Sequence, residues 1–266
     1  MPRAPRSTPP DRKFVVALSR GLDVLRCFGP RDRWLANQEI ARRTGLAKPT
    51  VSRLAYTLTR LGYLRCPEGS SRYALGSAAI GLGFAALGQM DVRRVARPFL
   101  QELSAHARAS VHLAVNDRLS MQVVDTYWNS AAFVIDIGSR VPVATTSLGR
   151  AWASAQPAPE RKRLLEALKA ARPAEWAVNR RRMEQALRDY ERFGFCLGLG
   201  EWRREINAVA APLVLENGAG TVVVGCSGAA FQLQPTLLKR DVGPRLLAIL
   251  ANVRSGLARD AAPEGA

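Results

Sequence analysis

Apolar residues recur at helical spacing from Phe14 to Phe28, with Leu18, Leu22, Leu25 and Phe28 on one stripe, and Gly29-Pro30 ends the pattern. A second helix is expected at Asn37–Thr44 with Ile40 and Ala41 inward, and Gly45-Leu46 turns the chain. Pro49 suits the first position of a third helix, where its missing N–H needs no partner; that helix runs to Leu61 and ends at Gly62. Tyr63–Cys66 and Arg72–Leu75 flank the turn-forming Pro67-Glu68-Gly69-Ser70-Ser71 and predict a β-hairpin. From Ser77 to about Val92 a Gly- and Ala-rich helix carries Ile80, Leu82, Phe84 and Leu87. With so few polar residues it is expected to pack on a neighbour, a second copy of the chain included, and to connect two domains.

Beyond it the pattern alternates. Helices are expected at Val95–Ala107, Ser147–Ala155, Ala158–Ala170, Asn179–Phe193 and Pro235–Leu257. Strands are expected at Ser110–Asn116 and Leu119–Trp128 around the turn Asn116-Asp117-Arg118, then at Ala132–Ile137, Phe195–Leu199, Ile206–Leu215 and Thr221–Ser227. The last two meet at the turn Glu216-Asn217-Gly218. Hairpins mixed with helices predict an α+β antiparallel sheet rather than a doubly wound parallel one.

Charge adds a function to this outline. The 266 residues hold 39 Lys and Arg against 22 Asp and Glu, a net charge of +17. Such an excess favours a polyanion, either nucleic acid or an anionic membrane surface, although a codon bias toward Arg would raise the same number. Its distribution points to nucleic acid: residues 1–76 carry 15 cations and 5 anions, the remaining 190 residues 24 and 17. No apolar run approaches the ~18 residues of a membrane span, and the Pro-rich Met1–Lys13 reads neither as a signal nor as an anchor. Cys27, Cys66, Cys196 and Cys226 are scattered without a CxxC pair, so neither disulfides nor a zinc site is expected, and a reducing cytoplasm is the expected compartment. His106 and His112, the two histidines, lack metal-ligand spacing; no metal, cofactor or catalytic set is expected, and each reads as a packed or surface side chain.

The sharpest constellation lies in the third helix. At 100° per residue Val51, Leu54, Leu58 and Leu61 share one face with Ala55 beside them, while Arg53, Tyr56, Thr57 and Arg60 face the opposite way with Pro49. A helix that buries one side and presents Arg, Thr and Tyr on the other has the form of a recognition helix. Arg pairs with a guanine edge through two hydrogen bonds, and Thr meets a thymine methyl or a phosphate. Lys48, Thr50 and Ser52 sit at the helix start, where N–H groups and the dipole favour phosphate. The hairpin tip Ser70, Ser71 and Arg72 would act as a wing on the neighbouring backbone.

The run Ala36–Leu46, then Pro49–Arg53, Leu58–Leu64 and Tyr73–Gly76, resembles the winged helix-turn-helix of IclR-type bacterial transcriptional regulators. Pro142–Ala151, Val209–Leu213 and Gly225–Gly228 resemble later segments of the same family, so the likeness extends over roughly residues 14–257. It implies a disordered tail at 1–13, a DNA-binding domain at 14–76, a linker helix at 77–93, a GAF-like effector-binding domain at 94–258 and a disordered tail at 259–266. It also implies dimers, or dimers of dimers, on palindromic operator DNA. By position the resemblance assigns Leu148, Gly149, Arg150, Glu201, Ala210, Gly225 and Ser227 to the effector site, with Gly225 standing where relatives often carry Ser.

The residues themselves add a little. Ser147 is placed to cap its helix, leaving N–H groups for an anion, and Arg150 one turn on suggests a carboxylate-bearing metabolite, an organic or aromatic acid. An ordinary cap and a structural salt bridge are the plain alternatives for these two. Cys226 beside Ser227 has neither a neighbouring His nor a GxSxG elbow. The run Asn179–Arg182 reads as the start of a solvated helix, and Trp202-Arg203-Arg204 as a flank of a ligand entrance. The expectation is thus a ligand-responsive, non-enzymatic transcriptional regulator with a pocket of several hundred Å3. An architectural DNA-binding protein would have a filled core instead, and an enzyme with a basic localisation domain would need convergent acid, base or nucleophile residues in 94–257.

Overall fold

In the computed structural model, which describes residues 13–128, 135–215 and 220–261, the chain forms two units that part between Ala86 and Leu87, each around its own core. The first contains α1 (Val16–Arg26), β1 (Leu35–Ala36), α2 (Asn37–Thr44), α3 (Lys48–Arg60), β2 (Leu64–Arg65), β3 (Arg72–Leu75) and α4 (Ser77–Gly88). The strands pair in the order β1-β3-β2, so the expected hairpin gains a third strand, with Leu35 opposite Tyr73 and Leu64 opposite Leu75. Val24, Leu35, Ile40, Ala41, Val51, Ala55 and Leu64 form the core.

Three expected inward positions turn out to be exposed. The inner face of α1 runs through Val24, Leu25 and Phe28. Leu18 and Leu22 therefore point away from this core. Leu61 is exposed as well, since α3 ends at Arg60 and Leu61 only caps it. Arg43 clamps the layer from outside: it pairs with Glu39 and Asp32 and donates to the Cys27 carbonyl, joining α2 to the end of α1. Helix α4 stops at Gly88 rather than near Val92 and buries none of its residues.

From Leu87 onward the elements are α5 (Asp91–Ala107), β4 (Ser110–Asp117), β5 (Ser120–Tyr127), β6 (Arg140–Pro142), α6 (Ser147–Ser154), α7 (Ala158–Ala171), α8 (Trp176–Phe193), β7 (Cys196–Leu199), β8 (Ile206–Val214), β9 (Thr221–Ala229), α9 (Pro235–Leu237) and α10 (Gly243–Ala261). The six strands form one antiparallel sheet in the order β6-β5-β4-β9-β8-β7. This is the expected α+β class, with helices on both faces. Val111, Leu113, Val209, Ala211, Val222 and Val224 pack towards α5 and α10. Ala114, Val123, Ala210 and Val223 pack towards α6, α7 and α8. Burial of each larger aliphatic contributes about 1.5–3 kcal/mol, and the same two-sided burial explains why β9 reads as an unbroken apolar run.

Half of the expected strand Ala132–Ile137 (132–134) and the whole turn Glu216-Asn217-Gly218 lie outside the described residues; residues 135–137 are not strand, and β6 begins instead at Arg140. The expected helix Pro235–Leu257 is interrupted by a π-helical turn, Leu238–Val242. Gly243 follows that turn because a Cβ there would lie 2.6 Å from the Phe195 ring and 2.8 Å from the Leu238 carbonyl oxygen. Gly243→Ala should therefore lower stability by about 2 kcal/mol, read as a drop in the urea midpoint, since Phe195 is buried and cannot swing into water. An unchanged midpoint would mean that the π turn relaxes freely.

Candidate functional site

Helix α3 seats Val51 and Ala55 in the core, which turns Arg53, Tyr56, Thr57 and Arg60 outward; all four are exposed. Lys48, Pro49, Ser52, Ser71 and Arg72 are exposed too, whereas Thr50 and Ser70 are half-buried. Ala47 at the N-cap offers no side-chain acceptor, so the N–H groups of Lys48 and Thr50 take no described partner at the positive end of the dipole. Ion pairing separates the cations nearby. Arg42 and Arg43 are committed to Glu39 and Asp32, and the two arginines hold the Glu39 carboxyl down at about 2. Among the described residues Lys48, Arg53, Arg60 and Arg72 have no such partner.

Two hydroxyls of the expected face are engaged within the fold. Ser52 Oγ donates to the Lys48 carbonyl and accepts from Asn37 Nδ2, and Thr57 Oγ1 donates to the Arg53 carbonyl. Asn37, not singled out from the sequence, also donates its N–H to the Ser71 carbonyl at 3.1 Å. It thereby ties the start of α2 to α3 and to the wing. At the base of the wing the Arg65 guanidinium lies 4.8 Å over the Trp34 ring, a long-range pairing with no local sequence signal.

In the second unit the candidate site is a cavity between α6, the sheet and the loop after β7. Helix α6 begins against the sheet because Gly149 presses on Val143, where a Cβ would come within 2.2 Å of the Val143 Cα. Thr146, not Ser147, is the N-cap: its Oγ1 accepts the Gly149 N–H and donates to the Pro142 carbonyl. The backbone geometry decides this, since Thr146 is extended while Ser147 is already helical. The N–H groups of Ser147 and Leu148 have no described hydrogen-bond partner at the helix start.

The cavity is lined by Leu148, Glu201, Gly225 and Ser227 of the expected set, together with Ser147, Thr145, Trp202 and His112. Gly149, Arg150 and Ala210 stand behind its wall rather than in it. Its volume is about 40 Å3, far below the expected size, in part because Leu148 fills the space beside Gly225: a Cβ on Gly225 would lie 2.8 Å from Leu148 Cδ2. A cleft of about 480 Å3 lies beyond, and Thr145, Glu201 and Trp202 belong to both.

Arg150 is 1% exposed and donates through Nη2 to Glu201 at 2.7 Å and to the Leu197 carbonyl at 2.9 Å; its Nε is buried without a partner. Glu201 also accepts the Leu199 N–H at 2.8 Å. Burial raises the Glu201 carboxyl, but the hydrogen bond and charge of Arg150, with the Leu199 N–H, outweigh it and hold the group below its ordinary range. Thr145 Oγ1, another buried atom of the cavity wall, is also unpartnered.

His112 is the packed side chain that the sequence suggests, 1% exposed, and it also lines the cavity. Its Nδ1 lies 2.7 Å from Thr126 Oγ1 and its Nε2 3.0 Å from Ser227 Oγ. Burial pushes the imidazole down to about 4, so it is neutral near pH 7. Strand pairing could have hinted at this only with the register known, because β4 sets His112 opposite Gly225. Cys226 has its thiol pushed up to about 12 by burial in the layer under α5 and α10. Among the described residues no His, Cys, Asp or Glu cluster suits a metal, and no helix is long and apolar enough to cross a membrane.

Comparison with known proteins bears on both units. Residues 17–66 match the IclR helix-turn-helix domain and residues 84–249 the bacterial transcriptional regulator IclR C-terminal domain. The HTH-type transcriptional regulator TsaQ1/TsaQ2 of Comamonas testosteroni is 30% identical over 91% of this chain and 88% of its own. An IclR family transcriptional regulator from Brucella abortus is 45% identical with a TM-score of 0.86, covering 94% of this chain and 95% of that one. An IclR homologue from Microbacterium hydrocarbonoxydans, solved with 4-hydroxybenzoate, shares the fold at 20% identity and a TM-score of 0.70, over 91% and 99% of the two chains.

The buried imidazole sets a pH dependence. The unfolded chain takes up a proton near pH 6.5, which the folded chain refuses until about pH 4. Stability should therefore be complete above pH 6.5 and decline between 6.5 and 4, by about 3 kcal/mol in all. Urea midpoints at pH 7.5, 6.5 and 5.5 should fall more steeply for the native protein than for His112→Gln. Parallel slopes would place the imidazole in contact with water.

Proposed function

The chain belongs to the IclR family of bacterial transcriptional regulators, ligand-responsive DNA-binding proteins, and from that premise we propose how its residues divide the work. Helix α3 enters the major groove, where Arg53, Tyr56, Thr57 and Arg60 meet base edges and adjoining phosphates. Lys48, Pro49, Thr50 and Ser52 bring the start of the helix against the backbone, and Ser70, Ser71 and Arg72 carry the wing along it. The observation that carries this reading is the sorting of cations: those on this face are unpaired among the described residues, while Arg42 and Arg43 behind it are neutralised. Asn37 holds helix and wing in register.

A second copy of the chain covers the apolar residues left open in the first unit. Leu18 and Leu22 on α1 are exposed, as are Ile80, Leu82 and Phe84 on α4, with Phe84 at 71%. So large a set of open side chains on a helix that buries nothing of its own fits a self-complementary two-fold interface. Two recognition helices related in this way suit a palindromic operator.

The cavity under α6 is the effector site, taking a small organic or aromatic acid. Its supports are the open N–H groups of Ser147 and Leu148, the Ser227 hydroxyl and the apolar walls from Val141, Leu148 and Ile206. At about 40 Å3 it admits only water-sized occupants, so binding an acid moves the wall of Thr145, Glu201 and Trp202 toward the outer cleft. Whatever affinity for operator the effector changes, the operator changes for the effector by the same factor. We place the protein in the cytoplasm, acting by binding rather than turnover: its one buried imidazole is a weak base, and its buried thiols stay protonated.

Two measurements test this. With DNA from the intergenic region beside its own gene, Arg53→Ala should weaken sequence-specific binding by about 1–3 kcal/mol by fluorescence anisotropy and relax preference at one base position. Equal loss on scrambled DNA would make Arg53 a phosphate contact instead. Phe84→Asp should shift the mass measured by analytical ultracentrifugation to that of a smaller species; an unchanged mass would place the interface elsewhere.

A further inference from the structure

The cavity is bonded through the sheet to the opposite face. His112 Nδ1 meets Thr126 Oγ1 on β5, while its Nε2 meets Ser227. Successive side chains of a strand point to opposite faces, so with Thr126 toward the cavity its neighbours Asp125 and Tyr127 lie on the other face, against α5 and its core. This arrangement depends on a bulge in β5. Leu113 pairs with Asp125 but Ala114 with Val123, which leaves Val124 as the extra residue. In a regular strand Asp125 would face the cavity and Thr126 would turn away from His112; the bulge re-aims both.

On the α5 side the buried Asp125 carboxylate gathers three groups. Its Oδ1 accepts the Thr126 N–H at 3.0 Å; its Oδ2 accepts the Tyr127 hydroxyl at 3.2 Å and lies 3.4 Å from Arg93 Nε. Arg93 Nη1 donates in turn to the Leu87 carbonyl at 3.3 Å, in the last turn of α4. Leu87 is where the chain enters the second unit, so this side chain of α5 holds the entry point. The hold is adjustable: Arg93 Nε is buried with no hydrogen-bond partner, and its pairing with Asp125 tightens or weakens with a small shift of β5.

We propose that the bulged segment Val124–Tyr127 couples the cavity to the end of α4, with Asp125 and Arg93 as its positioning residues. A group that displaces His112 moves Thr126, and Asp125 moves with it because the Thr126 N–H is bonded to its carboxylate. Arg93 then changes its hold on Leu87. Coupling between two sites needs one element that both of them bias, and β5 is that element. As a route from effector to operator the relay rests on the cavity being the effector site. As a coupling it needs no occupant, and it is tested without one.

Hydrogen exchange of the full-length protein, followed by mass spectrometry, provides the test. In His112→Gln the peptide spanning residues 84–94 should exchange about threefold or more faster than in the native protein, while the α8 peptide 176–193 stays within about 1.5-fold. Asp125→Asn keeps the shape of that side chain without its charge and should speed the same 84–94 peptide. The combined variant should exchange no faster than Asp125→Asn alone, to within about 1.5-fold, because the link is already cut. If either single variant fails to fold, Thr126→Val replaces His112→Gln, or Arg93→Gln replaces Asp125→Asn, in the same cycle. Exchange at 84–94 that is unchanged by the cavity substitution, that rises equally in α8, or that multiplies in the combined variant overturns the proposal. Failure of the effector-site reading would appear in ligand titrations and would leave these rates as they are, so the two failures are distinguishable.

Discussion

A guanidinium removed from water has to be matched inside the protein, and Arg150 is the largest fully buried side chain in the second unit. Desolvating one charge of such a pair without the other would cost several kcal/mol. The match is made by Glu201 and the β7 backbone at Leu197, and this pairing governs what surrounds it. It draws the loop after β7 over the sheet, brings Trp202 into the cavity wall and leaves Glu201 facing the cavity as an anion. The pairing is incomplete, since Arg150 Nε remains buried without a partner, as does Thr145 Oγ1 in the cavity wall.

The first unit solves an electrostatic problem of the opposite kind. Its excess of cations would repel if all were free, and Asp32 and Glu39 neutralise the two on α2 while bracing the turn between α1 and α2. Among the cations without such a partner, Lys48, Arg53, Arg60 and Arg72 lie on α3 and the wing. Asn37 then sets those two surfaces relative to each other through one side-chain and one backbone hydrogen bond. Charge that looks diffuse in composition is thus divided into a structural share and a presented share.

Much of this was legible in the chain. The 3.6-residue spacing of Val51 and Ala55 was enough to predict which way Arg53 and Arg60 point, because a short helix has only one apolar stripe to bury. The inner face of α1 was misjudged in part: Leu25 and Phe28 do pack on the core, but apolarity alone could not separate Val24 from Leu18 and Leu22. The effector cavity was legible as a neighbourhood but not as a surface. Leu148, Glu201, Gly225 and Ser227 do line it, whereas Gly149 and Arg150, on the same helix, turn to the backbone of Val143 and to Glu201. His112 was passed over because its partners, Thr126 and Ser227, lie 14 and 115 residues away.

Local order and the sign of the chemistry are therefore properties of the sequence by itself: a helix-turn-helix with a wing, an α+β sheet domain, and a basic face presented to a polyanion. Each depends on spacing within a few residues or on composition, and both are written along the chain. The tertiary structure alone decided which cations are free, that Thr146 caps α6, that Leu148 closes the space beside Gly225, and that Glu201 rather than Arg150 meets the cavity. Those outcomes depend on distances between residues tens of positions apart, and on competition among several polar partners for one buried charge. Such competition is resolved by packing, and no local pattern records its result.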